Sequence, residues 1–372
     1  MPELPERRGE RARLRALLDT DHAGADPRPA RRAEAAMSGA AITTVAELEG
    51  VIGKTPPPMH LKVIDHLDAG ALRWISASPL MFAGFGDGSG VGVTFAGSAP
   101  GFASGDAREL RVPLVLLDDS TLAQPGAAFG SLFLLPGIGE TLRVNGRVAA
   151  VDAGHVRIAV DECYGHCAKA LIRSEFWAAL PVPPPDDPAA FVAASRFLAL
   201  AKIGAAFRAD LSPKGDPAGC MAQLDGDVLW FADRPGNRRV DSFRNIVEQP
   251  NIALALLIPG ANRIAVVRGQ ARLTTDAAAR DRFTVKNKTP LLAIGVEIET
   301  LDLRDSPALS RAKLWPVHAD SDIDPAKLFV EHIKLNKAGG IGASLARATL
   351  SVPGVTSLLK KGLDKDYRDN LY

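Results

Sequence analysis

Leu134-Leu135-Pro136-Gly137 returns in the same chain as Leu257-Ile258-Pro259-Gly260, and the architecture is read outward from this pair. With the two tetrapeptides superposed the chain runs on without a gap, so that Val144 falls on Val267 and Gly146 on Gly269. Further along, Ala170-Leu171, Arg173 and Trp177 recur as Ala308-Leu309, Arg311 and Trp315. Three matches in one order, at similar separations, describe a duplicated unit; two unrelated β-domains sharing turn chemistry are the alternative. A length of 372 residues has room for two domains of ordinary size.

Around the second tetrapeptide, apolar runs at 197–203, 228–232 and 252–258 are bounded by Gly, Pro, Asp and Asn and predict strands. Two more follow at 264–273 and 291–301, where Ile294, Val296 and Ile298 alternate with Gly295, Glu297 and Glu299 as on a half-buried strand. Val240, Phe243 and Val247 stand at helical spacing within 239–248, and the segment stops before Pro250. Five or six strands with one inserted helix predict a mainly β, α+β barrel rather than a parallel βαβ sheet. The expected division is a dispensable leader at 1–40, a first barrel at 41–180, a linker at 181–188, a second barrel at 189–320 and a helical tail at 321–372. The linker holds five prolines in eight residues. The leader carries eight Arg among seven acidic residues before Met37, with no apolar stretch of a secretory signal.

Composition narrows the function classes. A net charge of +1 with 47% hydrophobic and 23% charged residues is that of an ordinary globular protein and calls for no nucleic-acid partner. No apolar run reaches the ~18 residues that cross a bilayer, so no membrane partner is expected. Cys163, Cys167 and Cys220 cannot form a disulfide framework and fit a reducing, cytoplasmic compartment. Cys163 and Cys167 with His155 and His166 lack a clean second ligand pair, and no metal site is expected.

Two segments carry the chemistry, Asp210-Leu211-Ser212-Pro213-Lys214-Gly215-Asp216 and Asp233-Arg234-Pro235-Gly236-Asn237-Arg238-Arg239. The second follows a strand and opens the helix at 239–248, a placement that favours a phosphate through free N–H groups and the helix dipole. Arginine donates two bonds at once to such an oxyanion. Solvated charges on a turn are the plain alternative for Arg238 and Arg239. Ser212 and Lys214 reach toward the same anion from neighbouring strands, with Asp216 and Asp233 orienting the basic groups or capping turns.

Leu229-Trp230-Phe231-Ala232-Asp233, then Asn237-Arg238-Arg239, then Asn245-Ile246 and Pro250 resemble the pyridoxamine 5′-phosphate oxidase-like superfamily of FMN-binding split β-barrels, with one extra residue in the turn. The Ser-Pro-Lys-Gly-Asp-Pro-Ala-Gly and Arg-Pro-Gly-Asn-Arg-Arg stretches are similar to a bacterial subgroup of FMN-dependent type. The resemblance implies FMN as cofactor, with Ser212, Lys214, Asp233, Arg234, Asn237, Arg238 and Arg239 around its phosphate. It covers the two copies unevenly: in the first, Gln124-Pro125-Gly126-Ala127-Ala128-Phe129-Gly130 stands where the phosphate turn belongs and has no basic residue. The first copy instead keeps the segment 139–147, with Arg143, and the segment His166-Cys167-Ala168-Lys169-Ala170 followed by Arg173. Family dimers place flavin between two barrels. The resemblance therefore implies an intrachain pseudo-dimer, alone or as a homodimer of such chains, with one FMN shared between halves: phosphate on the second copy, and Arg143, His166, Lys169 and Arg173 at the ring and substrate.

No Ser-His-Asp order, Walker loop or Rossmann fingerprint is present, so the reaction chemistry is expected from the flavin. The implied function is an FMN-dependent oxidoreductase acting on a small-molecule substrate. The alternatives are a non-enzymatic flavin-binding protein, a haem protein using His166, and a deazaflavin enzyme.

Overall fold

A computed structural model describes residues 40–55, 58–204, 208–236, 241–319, 321–337 and 355–372. Asn237, Arg238, Arg239 and nearly all of the expected leader lie outside the described residues.

Two antiparallel sheets form the molecule. After β1 (Ala41–Ile42), the first contains β2 (Leu80–Asp87), β3 (Gly90–Gly97), β4 (Ser104–Gly105), β5 (Glu109–Pro113), β6 (Ala128–Leu134), β7 (Thr141–Asp152) and β8 (His155–His166). The second contains β9 (Phe197–Ile203), β10 (Ala209–Gly215), β11 (Gln223–Asp225), β12 (Val228–Ala232), β13 (Asn251–Leu257), β14 (Arg263–Thr274) and β15 (Ala293–Asp305). Their strand orders are β3-β2-β6-β7-β8-β5-β4 and β10-β9-β13-β14-β15-β12-β11, one path drawn twice. The ends of each path do not pair with each other, in keeping with a split barrel. Registers agree in detail: Leu80 faces Leu134 as Phe197 faces Leu257, and a bulge falls between Asn145 and Gly146 as between Arg268 and Gly269.

Continuous apolar runs have their cause in burial on both faces. In β9, Leu198 and Leu200 enter the core of the second sheet, whereas Phe197, Ala199 and Ala201 enter a separate cluster with Leu80, Phe82, Phe95, Leu132 and Leu134 of the first. That shared cluster holds the sheets face to face, each buried Leu or Phe contributing ~1.5–3 kcal/mol. Strand β15 has only one covered side in its middle, and there Glu297 is exposed between buried Val296 and Ile298.

The flanking segments cross over. Helix α1 (Val45–Ile52) begins at a capping box, in which the Glu47 N–H donates to the Thr44 hydroxyl and the Thr44 N–H donates to the Glu47 carboxylate. Its Leu48 enters the core of the second sheet, and β1 pairs with β14. Residues 41–52, expected with the first barrel, thus pack on the second, because β14 has a free backbone edge beyond β13 at Leu273 and Thr274. Helix α2 (Ala69–Ala77) packs on the first core through Ala71, Trp74 and Ile75. Four more helices matter below: α3 (Lys169–Arg173), α4 (Asp241–Glu248), α5 (Pro307–Ala312) and α6 (Pro325–Leu335). Leu328 of α6 joins the first core. A seventh, α7 (Val355–Asp369), lies near the C-terminal residues Leu371 and Tyr372.

Candidate functional site

Strand β10 lies at an edge of its sheet, where Pro213 removes no ladder donor that a neighbour needs. Alternation turns Leu211 into the cluster between the sheets and puts Asp210, Ser212 and Lys214 together on the other face, in line with Asp216. This polar row meets β9, the start of α4 and, across the junction, β7 and α3 of the first half.

Asp210 is the hub. Its carboxylate accepts from Arg143 Nη1 at 2.5 Å, Lys202 Nζ at 2.5 Å, Ser242 Oγ at 2.8 Å and Ser212 Oγ at 3.2 Å. Arg143, only 3% exposed, also donates to the Leu211 carbonyl at 2.5 Å and to Tyr164 Oη at 2.8 Å. Burial alone would raise the Asp210 carboxyl, but Arg143 and Lys202 hold it well below the usual carboxylate range. Burial pushes the Lys202 ammonium down to about 8, against the pull of Asp210.

Further along the row, Lys214 donates to Asp233 at 3.0 Å and lies 4.3 Å from the Phe243 ring centroid. Asp216 accepts from Arg234 Nε at 2.7 Å and lies 3.9 Å from Arg173 Nε. Arg173 in turn donates to the Gly215 carbonyl at 2.8 Å. Burial raises the Asp216 carboxyl in spite of Arg234 and Arg173. The five cations Arg143, Lys202, Lys214, Arg234 and Arg173 meet three carboxylates, Asp210, Asp233 and Asp216, among the described residues. Arg234 is 7% exposed and its Nη2 finds no hydrogen-bond acceptor among them. A surplus of positive charge and a buried donor without an acceptor fit a phosphate group. Beside Asp210 a cavity of about 400 Å³ opens between the halves, lined by Asn145, Glu162 and Tyr164 from one and Arg208 and Asn245 from the other. Asn145 Oδ1 is buried there without a donor among the described residues.

The remaining residues singled out from the sequence fall around this row. His166 ends β8, half-buried, with Nδ1 3.4 Å from the Cys167 carbonyl. Burial, then Arg143 and Lys62, push its imidazole well below the ordinary histidine value, so it is neutral at pH 7. Lys169 is 5% exposed and pairs with Asp366 at 2.8 Å. The structure thus joins Arg143 to Ser212, Lys214 to Asp233, and Arg173 to Arg234 through Asp216. The phosphate turn itself, Asn237 to Arg239, is outside the described residues. Sequence reasoning missed Lys202, Tyr164 and Ser242 and the part played by Asp210. A lysine interrupting a run otherwise buried on both faces was the available signal for Lys202.

Among the described residues no helix is long and apolar enough to cross a membrane. No curated protein matches the chain. Among solved structures, HupZ of Group A Streptococcus is similar over 30% of this chain and 88% of its own, at 16% identity and a TM-score of 0.25. An F420 reductase is similar over 32% of this chain and 98% of its own, at 18% identity and a TM-score of 0.25. General Stress Protein 26 of Bacillus anthracis is similar over 29% and 84%, at 16% identity and a TM-score of 0.24. The family model for pyridoxamine 5′-phosphate oxidase matches residues 185–305. The stretch that carries Lys202, Asp210, Lys214 and Arg234 lies within this match to the pyridoxamine 5′-phosphate oxidase family model.

Proposed function

We propose that this chain is an FMN-dependent oxidoreductase for a small organic substrate, built as a duplicated split barrel with one flavin site divided between its halves. The observation that carries the reading is the buried bridge from Arg143 of the first half to Asp210 and the Leu211 carbonyl of the second, in a cationic row beside an interfacial cavity. The match of 185–305 to the pyridoxamine 5′-phosphate oxidase family model supports the choice of cofactor.

Lys214 and Arg234, with Arg238 and Arg239 of the adjoining turn, would hold the phosphate. FMN, when bound, supplies the ring that takes up or gives the hydride. The chain's own residues position it: Asp210 fixes Arg143 and Lys202 in one arrangement, and apolar packing between the sheets keeps water from the buried side. His166, held neutral, offers an uncharged imidazole at the first-half wall.

The test is titration of cofactor-free protein with FMN and with riboflavin. Each charge-assisted phosphate bond contributes about 1.5–3 kcal/mol, so Arg238→Ala with Arg239→Ala is expected to weaken FMN by at least ~100-fold and leave riboflavin little changed. Equal loss for both ligands would assign the pair to folding, and no loss would refute the pocket. Saturated protein is expected to hold one FMN per chain; a Soret band in place of flavin bands would point to haem.

A further inference from the structure

The C-terminal segment sits on the far end of the polar row, where the flavin reading gives it no part. Asp366 of α7 pairs with buried Lys169, and Tyr367 Oη receives the Ala168 N–H at 3.4 Å while donating to Glu140 at 3.0 Å. The Leu371 carbonyl accepts from Arg173 Nη1 at 2.9 Å, and the Tyr372 ring centroid lies 5.5 Å from the Arg234 guanidinium. One short segment thus touches Lys169, Arg173 and Arg234, three cations each 7% exposed or less. It meets them with a carboxylate, a carbonyl and a ring face, and still leaves Arg234 Nη2 without an acceptor among the described residues.

The corresponding place in the other half is closed by a loop of its own sheet. There Arg311 donates to the Gly97 and Leu116 carbonyls, as Arg173 donates to those of Gly215 and Pro235. Asp118, from the loop after β5, accepts from Ser306 Oγ and from the Ala308 N–H, at the start of α5. Ser306 and Ala308 correspond to Ala168 and Ala170 in the repeat. The first-half copy is sealed by its own sheet's loop, which cannot leave without rebuilding that sheet. In the second, the matching turn at 237–240 lies outside the described residues, and among those described the cover is a segment remote in sequence, whose Asp366 is 44% exposed and whose ion pair is open to solvent competition.

We propose that residues 355–372 are a displaceable cover over an oxyanion pocket formed by Lys169 and Arg173, beside the Arg234 assigned to the flavin phosphate, and that the pocket takes the carboxylate or phosphate group of a small substrate. Asp366 holds the substrate's place at Lys169 until an anion from solution replaces it. This deepens the reading of the junction as the reaction site and rests on it, but the binding step needs no flavin. An internal occupant lowers apparent affinity by the fraction of protein in which it is seated, so loosening it strengthens binding without any new contact.

Inorganic phosphate is the probe, used on the full chain, with calorimetry and hydrogen–deuterium exchange as readouts. Saturating phosphate is expected to speed exchange in 355–369, and Asp366→Asn to tighten phosphate binding about tenfold. Adding Lys169→Met is expected to abolish that gain. Tyr372→Ala, which leaves α7 intact, is expected to give a smaller gain of the same sign. Exchange that ignores phosphate, or a gain that survives Lys169→Met, would overturn the proposal by showing a fixed strut or binding elsewhere. Flavin absorbance in the same samples separates the two readings: protein that takes no FMN yet shows the Lys169-dependent gain loses its cofactor assignment and keeps its cover.

Discussion

Set side by side, the two halves share their scaffolding and differ in their charges. Arg173 and Arg311 make the same bonds to matching carbonyls, and Gly215 and Gly97 are crowded by the carbonyl oxygens of Ala170 and Ala308 in the same way. Yet where β9 and β10 carry Lys202, Asp210, Ser212 and Lys214, the matching positions of β2 and β3 carry Phe85, Gly92, Thr94 and Ala96. Arg143, which reaches into the second half, has Val266 as its counterpart reaching toward the first. On the proposed reading, the difference separates what the fold needs from what a ligand needs. Arg, Gly and carbonyl contacts that lock one half to the other are present twice, whereas the buried ionic row is present once.

The comparison breaks most visibly at its hub. Asp210→Asn leaves Lys202 and Arg143 buried without their counter-charge, and loss of one partner from such a group costs about 3–5 kcal/mol. Replacing Arg143, Lys202 and Asp210 together with Leu, Phe and Ala copies the apolar character of the first half. That triple variant is expected to regain most of the stability in a denaturant melt while losing cofactor. A triple variant as unstable as Asp210→Asn would show that the row supports the fold.

The shared scaffold sharpens the comparison from the other side. A Cβ at position 215 would stand 1.9 Å from the Ala170 carbonyl oxygen, and one at 97 would stand 2.4 Å from that of Ala308. Gly215→Ala and Gly97→Ala are each expected to cost about 1–3 kcal/mol, as overpacking does, with cofactor content lowered only by the first. Equal loss of cofactor from both would mean the halves do not divide their roles.

The smallest expected effect is a pH dependence. The folded pKa of His166 is lowered relative to the unfolded value near 6.5, so the unfolded chain binds the extra proton first. Stability is therefore full above about pH 6.5 and falls as pH drops below it, by no more than ~1.4 kcal/mol per pH unit. His166→Gln is expected to flatten the melting-temperature profile between about pH 5 and 6.5. An unchanged profile would show that this histidine titrates freely.

Much of the fold was legible because its causes are local or periodic. Runs buried on both faces read as unbroken apolar segments, the half-covered part of β15 read as alternation, and the Pro-Gly turns marked the same corner twice. The segment 210–216 did not read as a strand, since Pro213 and its charges suit only an edge. Of the candidate site, the sequence offered single residues but not their pairing. Arg143 and Asp210 lie 67 positions apart in different sheets, and no spacing rule links them. The helical pattern at the C-terminus announced α7 but not that Asp366 and Tyr367 would face Lys169 and Glu140.

The crossing flanks bear on cooperativity. Ile42 and Leu48 precede the first sheet yet complete the second core, and Leu328 follows the second sheet yet completes the first. A cut in the proline stretch would leave each fragment holding a piece of the other's interior. Neither would fold to its full stability alone, and mixing the two would restore both by exchange of those pieces. In the uncut chain the same interlock makes the halves melt as one unit, so a single calorimetric transition is expected where two barrels joined only by a linker would give two.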